Sequence, residues 1–282
     1  MASSPHSEVP GTDLLSDAEL ERYSRQILLP GFDLEGQERL RTARVLVIGA
    51  GGLGSPAALY LAGSGVGRLT LCDGDQVELS NLHRQILHRT ADLGCNKAVS
   101  ATRALTALNP EIRIVPLPQR MTAAMLHEMA GAADVILDGS DNFATRYAVN
   151  AAAMRAGKPL VSGAVSGYLG QVTVFRAGGP CFACLYPEEG RDGESDCSSQ
   201  GILAPLAGII GSIMATETLK LLLGLGEGLH ERLLRLDAAT MRFRTVRLHR
   251  DPACTVCGTV CGAVCGPAHA EDSPCKEKES VV

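Results

Sequence analysis

Arg44-Val-Leu-Val-Ile48 runs straight into Gly49-Ala-Gly-Gly-Leu-Gly54, and Ser55 to Ala62 follows with helix-forming residues. The first run is short and apolar, the mark of a strand buried on both faces. The second has Gly-x-Gly-x-x-Gly spacing between that strand and the helix. Glycines there let the backbone approach phosphates, and the free N–H groups of a helix N-terminus attract an anion. Asp73 closes the next strand, 24 residues after Gly49, where a ribose-binding carboxylate is expected. A tight turn that binds nothing is the competing reading. Strand, loop and helix in this order weigh against it.

Outward from this unit the chain alternates strands and helices. Asp17 to Leu29 reads as a helix, with Ser16 as N-cap and Glu19 completing a capping box. Further strands are expected at Arg68–Cys72, Ile112–Leu117 and Asp134–Leu137. Helices are expected at Asn96–Leu108, Thr122–Ala130 and Phe143–Ala156, the last ended by Gly157. Strands recur at Leu160–Ser162 and Gln171–Phe175. A long helix spans about Leu206–Leu223, and two strands lie near Leu233–Leu236 and Arg242–Leu248. The expected fold is a Rossmann-like mixed α/β sheet, mostly parallel in its N-terminal half, with a strand-rich, zinc-tethered C-terminal half. Residues 1–16 and 259–282 read as flexible tails around one domain at 17–258.

Composition narrows the classes. The chain has 282 residues, 45% hydrophobic and 20% charged, with a net charge of −5, which fits a folded globular protein and argues against nucleic-acid binding. The opening stretch lacks a signal-peptide pattern. No segment reads as apolar over the roughly 18 residues of a membrane span. Ile202 to Leu223 is interrupted by Pro205, Gly208, Gly211, Glu217 and Lys220, and reads as a buried or amphipathic helix. The expected home is the cytoplasm, where ten cysteines point to metal or thiol chemistry rather than disulfides.

A charged cluster follows the second strand: Asp73-Gly-Asp75, then Ser80-Asn81-Leu-His-Arg84-Gln85, and Lys97 thirteen residues after Arg84. Two cations near a glycine loop suit a triphosphate, Arg holding oxygens bidentately and Lys acting as a point charge. Asp138-Gly-Ser-Asp141-Asn142 ends the fourth strand, and a carboxylate there suits Mg²⁺ beside phosphates. Solvated loop charges and helix caps are the bland reading of each residue singly, less so of the set.

Tyr23-Ser-Arg25-Gln26, GAGGLGS, LCDGDQVELSNLHRQ, Gly94-x-x-Lys97 and Gly139-Ser-Asp141-Asn142 together resemble the MoeB/ThiF/HesA family, relatives of the ubiquitin-activating enzymes. The resemblance runs from about Tyr23 to Cys257. It implies ATP-dependent adenylation of the C-terminal glycine of a small ubiquitin-like sulfur carrier ending in Gly-Gly, with release of pyrophosphate. By motif, it implies nucleotide contacts from Gly49, Gly51, Gly52, Gly54, Asp75, Ser80 and Asn142. Asp73 would take the ribose, Asn81, Arg84 and Lys97 the phosphates, and Asp141 Mg²⁺. Arg25 would reach the ATP of the other subunit, which implies a homodimer. Its bland alternative is an ion pair with Glu21. The RQILLPGFDLEGQERL segment leans toward the molybdopterin pathway over its thiamine counterpart. Some family members carry a sulfurtransferase domain after the zinc site. About 25 residues follow Cys257 here, so the sulfur is expected from a separate sulfurtransferase or cysteine desulfurase.

Cys181-Phe-Ala-Cys184 and Cys254-Thr-Val-Cys257 are two CxxC pairs with 69 residues between them. Together they supply four thiolates for one structural Zn²⁺, and the family places zinc at these motifs. A redox CxxC is the alternative, but neither pair reads as opening the helix of a thioredoxin-like unit. Cys261, Cys265 and Cys275 read as incidental tail cysteines, and Cys72 and Cys95 as ordinary. Cys197, in Cys-x-x-x-Gly-x-x-x-Pro205, is either a thiol that carries the carrier as a thioester or acyl-disulfide, or a dispensable loop residue. Two other classes compete. A nicotinamide oxidoreductase explains the glycines but not the cations. A non-catalytic subunit would have lost the Arg25, Arg84, Lys97 and Asp141 set.

Overall fold

The computed structural model describes residues 15–187 and 201–258. Helix α1 (Asp17–Ile27) starts at the capping box, where Glu19 N–H donates to Ser16 Oγ and Ser16 N–H to the Glu19 carboxylate. Leu15, just before the cap, is buried. Helix α2 (Asp33–Thr42) follows; the sequence reading had none there. Strand β1 (Arg44–Ile48) leads through the glycine loop into α3 (Gly54–Gly63). Then come β2 (Arg68–Cys72), α4 (Lys97–Leu108), β3 (Arg113–Leu117), α5 (Ala123–Ala132), β4 (Val135–Asp138) and α6 (Phe143–Ala156). Gly157 ends α6 at φ +63°, a left-handed turn that glycine adopts without a Cβ clash. The rest is β5 (Leu160–Ser166), β6 (Leu169–Phe175), a one-turn α7 (Phe182–Leu185), α8 (Ala204–Leu223), β7 (Arg232–Asp237) and β8 (Arg242–Arg247).

One eight-stranded sheet has the order β3-β2-β1-β4-β5-β6-β7-β8. The first five positions pair in parallel, and β5 to β8 pair antiparallel. Core side chains cover both faces. On one, Val47, Leu61, Leu71 and Leu105 pack with Leu206, Ile210 and Met214 of α8. On the other, Ile48, Ile136, Val149 and Phe175 pack around Phe182 and the cysteines.

The sequence reading found no membrane-length apolar segment, and the structure corrects this. Helix α8 is long and apolar enough to cross a membrane by length and composition. Here it lies against α3, β5 and β6, half of its apolar window buried. The buried carboxylate of Glu217 accepts the Leu229 N–H at 2.7 Å and pairs with Lys220, as in the core helix of a folded domain.

Because β2 and β3 lie on one side of β1 and β4 lies on the other, the order in which strands are added to the sheet reverses between β1 and β4, while the strands themselves stay parallel. In open α/β sheets such a switch point leaves a crevice at the carboxyl ends of the strands. The candidate functional site occupies that crevice.

Candidate nucleotide site and cysteine cluster

A cavity of about 600 Å³ opens there. That is the size range of a small-molecule site, roughly 300–1,000 Å³. The glycine loop forms its floor. Gly49 sits at φ +86°, and a Cβ on it would lie 3.0 Å from the Gly139 carbonyl oxygen, so the loops after β1 and β4 meet here. A Cβ on Gly54 would lie 1.8 Å from the Gly49 carbonyl, which only glycine avoids. At Gly52 the same atom would make ordinary contact with Arg84 and Ala207 at 3.5 Å, so the protein itself does not demand a glycine there. Gly51 and Gly52 face the cavity, and α3 starts with no side-chain cap. A helix N-terminus with bare N–H groups is an anion site.

Asp73 stands behind the loop. One carboxylate oxygen accepts the Ala50 N–H and the other the Asp75 N–H, both at 2.8 Å. Burial pushes its pKa up, opposed by the backbone N–H groups and by Lys97. Asn96 caps α4 and also donates to the carbonyls of Asp73 and Asp75. That cap delivers Lys97, the first residue of α4, to the cavity wall. Its ammonium lies 3.3 Å from Asp75, which also holds Arg120 at 3.5 Å. Arg84 is bracketed by Asn81 Oδ1 at 3.0 Å and the Ser80 carbonyl at 3.3 Å.

From β4, Asp138 is fully buried and accepts the Ser140 N–H and hydroxyl at 3.0 and 2.6 Å. Burial raises its pKa against the opposing pull of Arg146 and Ser140. Asp141 is exposed on the cavity rim, and Asn142 caps α6 by accepting the Thr145 N–H at 2.9 Å.

The cavity therefore gathers Gly49, Gly51, Gly52, Asp73, Asp75, Arg84, Lys97, Asp141 and Asn142. Gly54, Ser80 and Asn81 stand outside its lining: Gly54 because its role is close backbone packing, Ser80 and Asn81 because they hold Arg84. Arg25 does not reach this cavity either. It is exposed on α1, and no ion pair to Glu21 exists among the described residues, which removes the bland alternative. Cys197, Cys261, Cys265 and Cys275 lie outside the described residues.

Three lining groups escaped the sequence reading, and a fourth, Gln85, stood in its polar run without a role. Cys72, read as ordinary, turns out to line the cavity, its thiol donating to the Gln119 carbonyl and its pKa pushed up to about 12 by burial. Arg120 follows the carboxyl end of β3, a strand-end position that offered a signal. Arg146 lies one turn into α6 and donates to the Ser140 carbonyl at 2.6 Å. Gln85, beside Arg84, is buried with its Oε1 unpartnered. Room, bare N–H groups, cations and an unpartnered amide oxygen in one crevice fit a nucleoside triphosphate.

A second cluster lies under β6 and α6. The Sγ atoms of Cys181, Cys184, Cys254 and Cys257 all fall within 4.8 Å of one another, with pairs at 3.4, 3.6 and 3.9 Å. A tetrahedron of Zn–S bonds near 2.3 Å needs sulfurs about 3.8 Å apart. The donor set fits. Asp251 N–H donates to Cys184 Sγ at 3.4 Å, and the Asn150 amide oxygen accepts the Phe182 N–H at 3.0 Å. At Cys254 burial pushes the thiol up, but backbone N–H groups of Cys257 and Val256 outweigh it and bring the pKa to about 7. Cys181, contrary to the sequence reading, does open a helix, the single turn of α7. Its partners across the cluster are thiols, not the buried lone pair of a redox motif.

The fold and the cavity define a doubly wound α/β protein with an open crevice at its switch point and an antiparallel extension that gathers four thiols. Comparison with known proteins makes this specific: the chain belongs to the ThiF family, which it matches over residues 23–256. It is 47% identical over 247 residues to a sulfur carrier protein adenylyltransferase of Thermus thermophilus, covering 85% of this chain and 91% of the other. It is 47% identical over 246 residues to the molybdopterin-synthase adenylyltransferase of Escherichia coli, covering 86% and 98%. Among solved structures it resembles E. coli MccB crystallised with ATP, with a TM-score of 0.73 and 26% identity over 84% of this chain and 74% of that one.

Proposed function

We propose that this chain adenylates the C-terminal glycine of a small ubiquitin-like sulfur carrier, in service of molybdopterin synthesis. The observation that carries the reading is the single crevice at the β1/β4 switch point. It joins the glycine loop, Asp73, Arg84, Lys97 and Asp141, and the relatives named adenylyltransferases share most of the chain with it.

In the reaction, an oxygen of the carrier's terminal carboxylate attacks the α-phosphorus of ATP. The bond to the bridging oxygen breaks and pyrophosphate leaves, giving an acyl-adenylate. No covalent bond to the enzyme is needed. Asp73 accepts from the ribose with lone pairs left free by its backbone bonds. Gly51 and Gly52 N–H groups, Arg84 and Lys97 hold the phosphates. Positioning and charge stabilisation supply the acceleration. Asp141 would hold Mg²⁺, which supplies charge neutralisation at the phosphates. A second cavity of about 210 Å³ shares Asp141, Arg146 and Val165 with the first and reaches Gln171 and Arg235 on the open sheet face. It is the path we assign to the carrier's Gly-Gly tail.

The four cysteines would hold a structural Zn²⁺ with no position open for catalysis. Arg25 would act on the site of the second subunit of a homodimer. A sulfurtransferase or cysteine desulfurase would supply the sulfur, and a cytoplasmic setting keeps the thiols reduced. The role of Cys197, acyl carrier or bystander, belongs to the same proposal.

The test is ATP–pyrophosphate exchange against purified carriers of the molybdopterin and thiamine pathways. Exchange is expected with the molybdopterin-pathway carrier, and only while its terminal glycine is intact. Exchange with the thiamine-pathway carrier alone would reassign the pathway. Exchange with none would overturn the activity.

A further inference from the structure

Behind the glycine loop lies a buried histidine that does not touch the cavity. His88 is 6% exposed. Its Nε2 lies 2.9 Å from the Ala50 carbonyl oxygen, and its Nδ1 lies 2.9 Å from Ser100 Oγ. A carbonyl only accepts, so Nε2 carries the proton and Nδ1 accepts from the Ser100 hydroxyl. The same Ala50 carbonyl also accepts from Ser55 Oγ at 3.1 Å, while Ala50 N–H donates to Asp73 at 2.8 Å. The peptide groups of Ala50 are thus clamped on both sides. Ser100 lies one turn after Lys97 on α4. One imidazole therefore bridges the two elements that bring the N–H groups and the ammonium to the cavity. Burial lowers its pKa, which keeps the ring neutral and the tautomer fixed.

We propose that His88 is a positioning residue that locks the Ala50 carbonyl and ties the glycine loop to α4. The Gly51 and Gly52 N–H groups and Lys97 then form one fixed anion surface. This rests on reading the cavity as a nucleotide site. It accounts for the ring being bonded at both nitrogens, where a space-filling histidine needs only partners of any kind.

Two substitutions separate the two bonds. His88→Asn keeps an acceptor near the Nδ1 position and loses the donor to Ala50. His88→Gln places an N–H group near the Nε2 position and loses the acceptor for Ser100. Dissociation constants for ATP and for adenosine, measured by calorimetry on the full chain, read out the phosphate surface and the rest of the site separately. The Asn variant should weaken ATP by about tenfold, the worth of roughly one hydrogen bond, and leave adenosine within about twofold. The Gln variant, which keeps the donor to Ala50 but drops the tie to Ser100, should weaken ATP by only about threefold. Equal losses for ATP and adenosine, or an Asn variant that binds ATP normally, would overturn the proposal. Should the Asn variant not fold, Ser100→Ala takes its place. It should weaken ATP alone by about threefold, and unchanged ATP binding would count against the bridge. A wild-type chain that binds neither ligand overturns the nucleotide reading, and this proposal with it.

Discussion

The crevice between β1 and β4 and the cysteine cluster under β6 hold most of the chemistry-bearing side chains, and they are built in opposite ways. In the crevice, charges satisfy one another only in part. Lys97 and Arg120 share one carboxylate, Asp75, and Arg84 rests on a carbonyl and an amide. Cationic capacity is left facing open space, as suits a charged ligand that arrives and leaves. In the cluster each sulfur lies within 4.8 Å of the other three, and Cys181, Cys254 and Cys257 are buried. That closed shell suits an ion that stays. Helix α6 spans both. Its first turn carries Asn142 at the crevice, and further along Asn150 and Tyr147 fasten the segment after Cys181, the Tyr147 hydroxyl donating to the Tyr186 carbonyl at 2.6 Å. Loss at the cluster should therefore appear as stability, and loss at the crevice as rate.

The largest effect is expected at the cluster. Cys181→Ser should remove the metal and lower stability by roughly 5 kcal/mol or more, read by metal analysis and thermal melting. A metal-free wild-type chain of full stability would break the contrast at once. At the crevice, Arg84→Ala or Lys97→Ala should slow adenylation by about 10²–10³-fold. Melting should stay near wild type for Arg84→Ala, because Arg84 is only half-buried and its bonds, to Ser80, Asn81 and His83, are local. Near-normal adenylate formation in both variants would remove the phosphate role.

The glycine loop sharpens the same contrast within a few residues. Gly54→Ala forces a Cβ onto the Gly49 carbonyl and should cost about 1–3 kcal/mol of stability or more. Gly52→Ala finds ordinary space in the protein and should melt normally while binding ATP more weakly. Equal melting losses in the two would show that Gly52 is structural too.

The smallest effect concerns assembly. Inactive Arg25→Ala and inactive Asp141→Ala chains, mixed under conditions of proven subunit exchange, should recover roughly a quarter of wild-type activity, since about half the dimers are mixed and each has one intact site. No recovery would mean that Arg25 does not act across subunits.

Much of this was legible in the sequence because strand ends carry the chemistry. Once Arg44–Ile48 and the glycine loop set the first strand, the second and fourth apolar runs ended at Asp73 and Asp138, which the parallel sheet brings to the same edge. The cysteine cluster was legible from two CxxC pairs although 69 residues separate them. Helix α2 was not. It follows Pro30 and Gly31, begins at Asp33 with φ +39°, contains Gly36 and has no capping side-chain bond at its N-cap, so its start signals are missing. Arg146 was missed, and Gln85 was named in the polar run but given no role, because nothing in a single sequence says which side of a helix or loop faces a cavity. His88 was invisible for the same reason: its partners, Ala50 and Ser100, are 38 and 12 residues away and meet it only in the folded chain.

The most direct measurement is the intact mass of the carrier after incubation with this chain and ATP. The account predicts a carrier heavier by one adenylyl group, lost on mild hydroxylamine treatment, and no change in a carrier lacking its terminal glycine. An unmodified carrier in the presence of bound ATP, or adenylylation that ignores the terminal glycine, would contradict it.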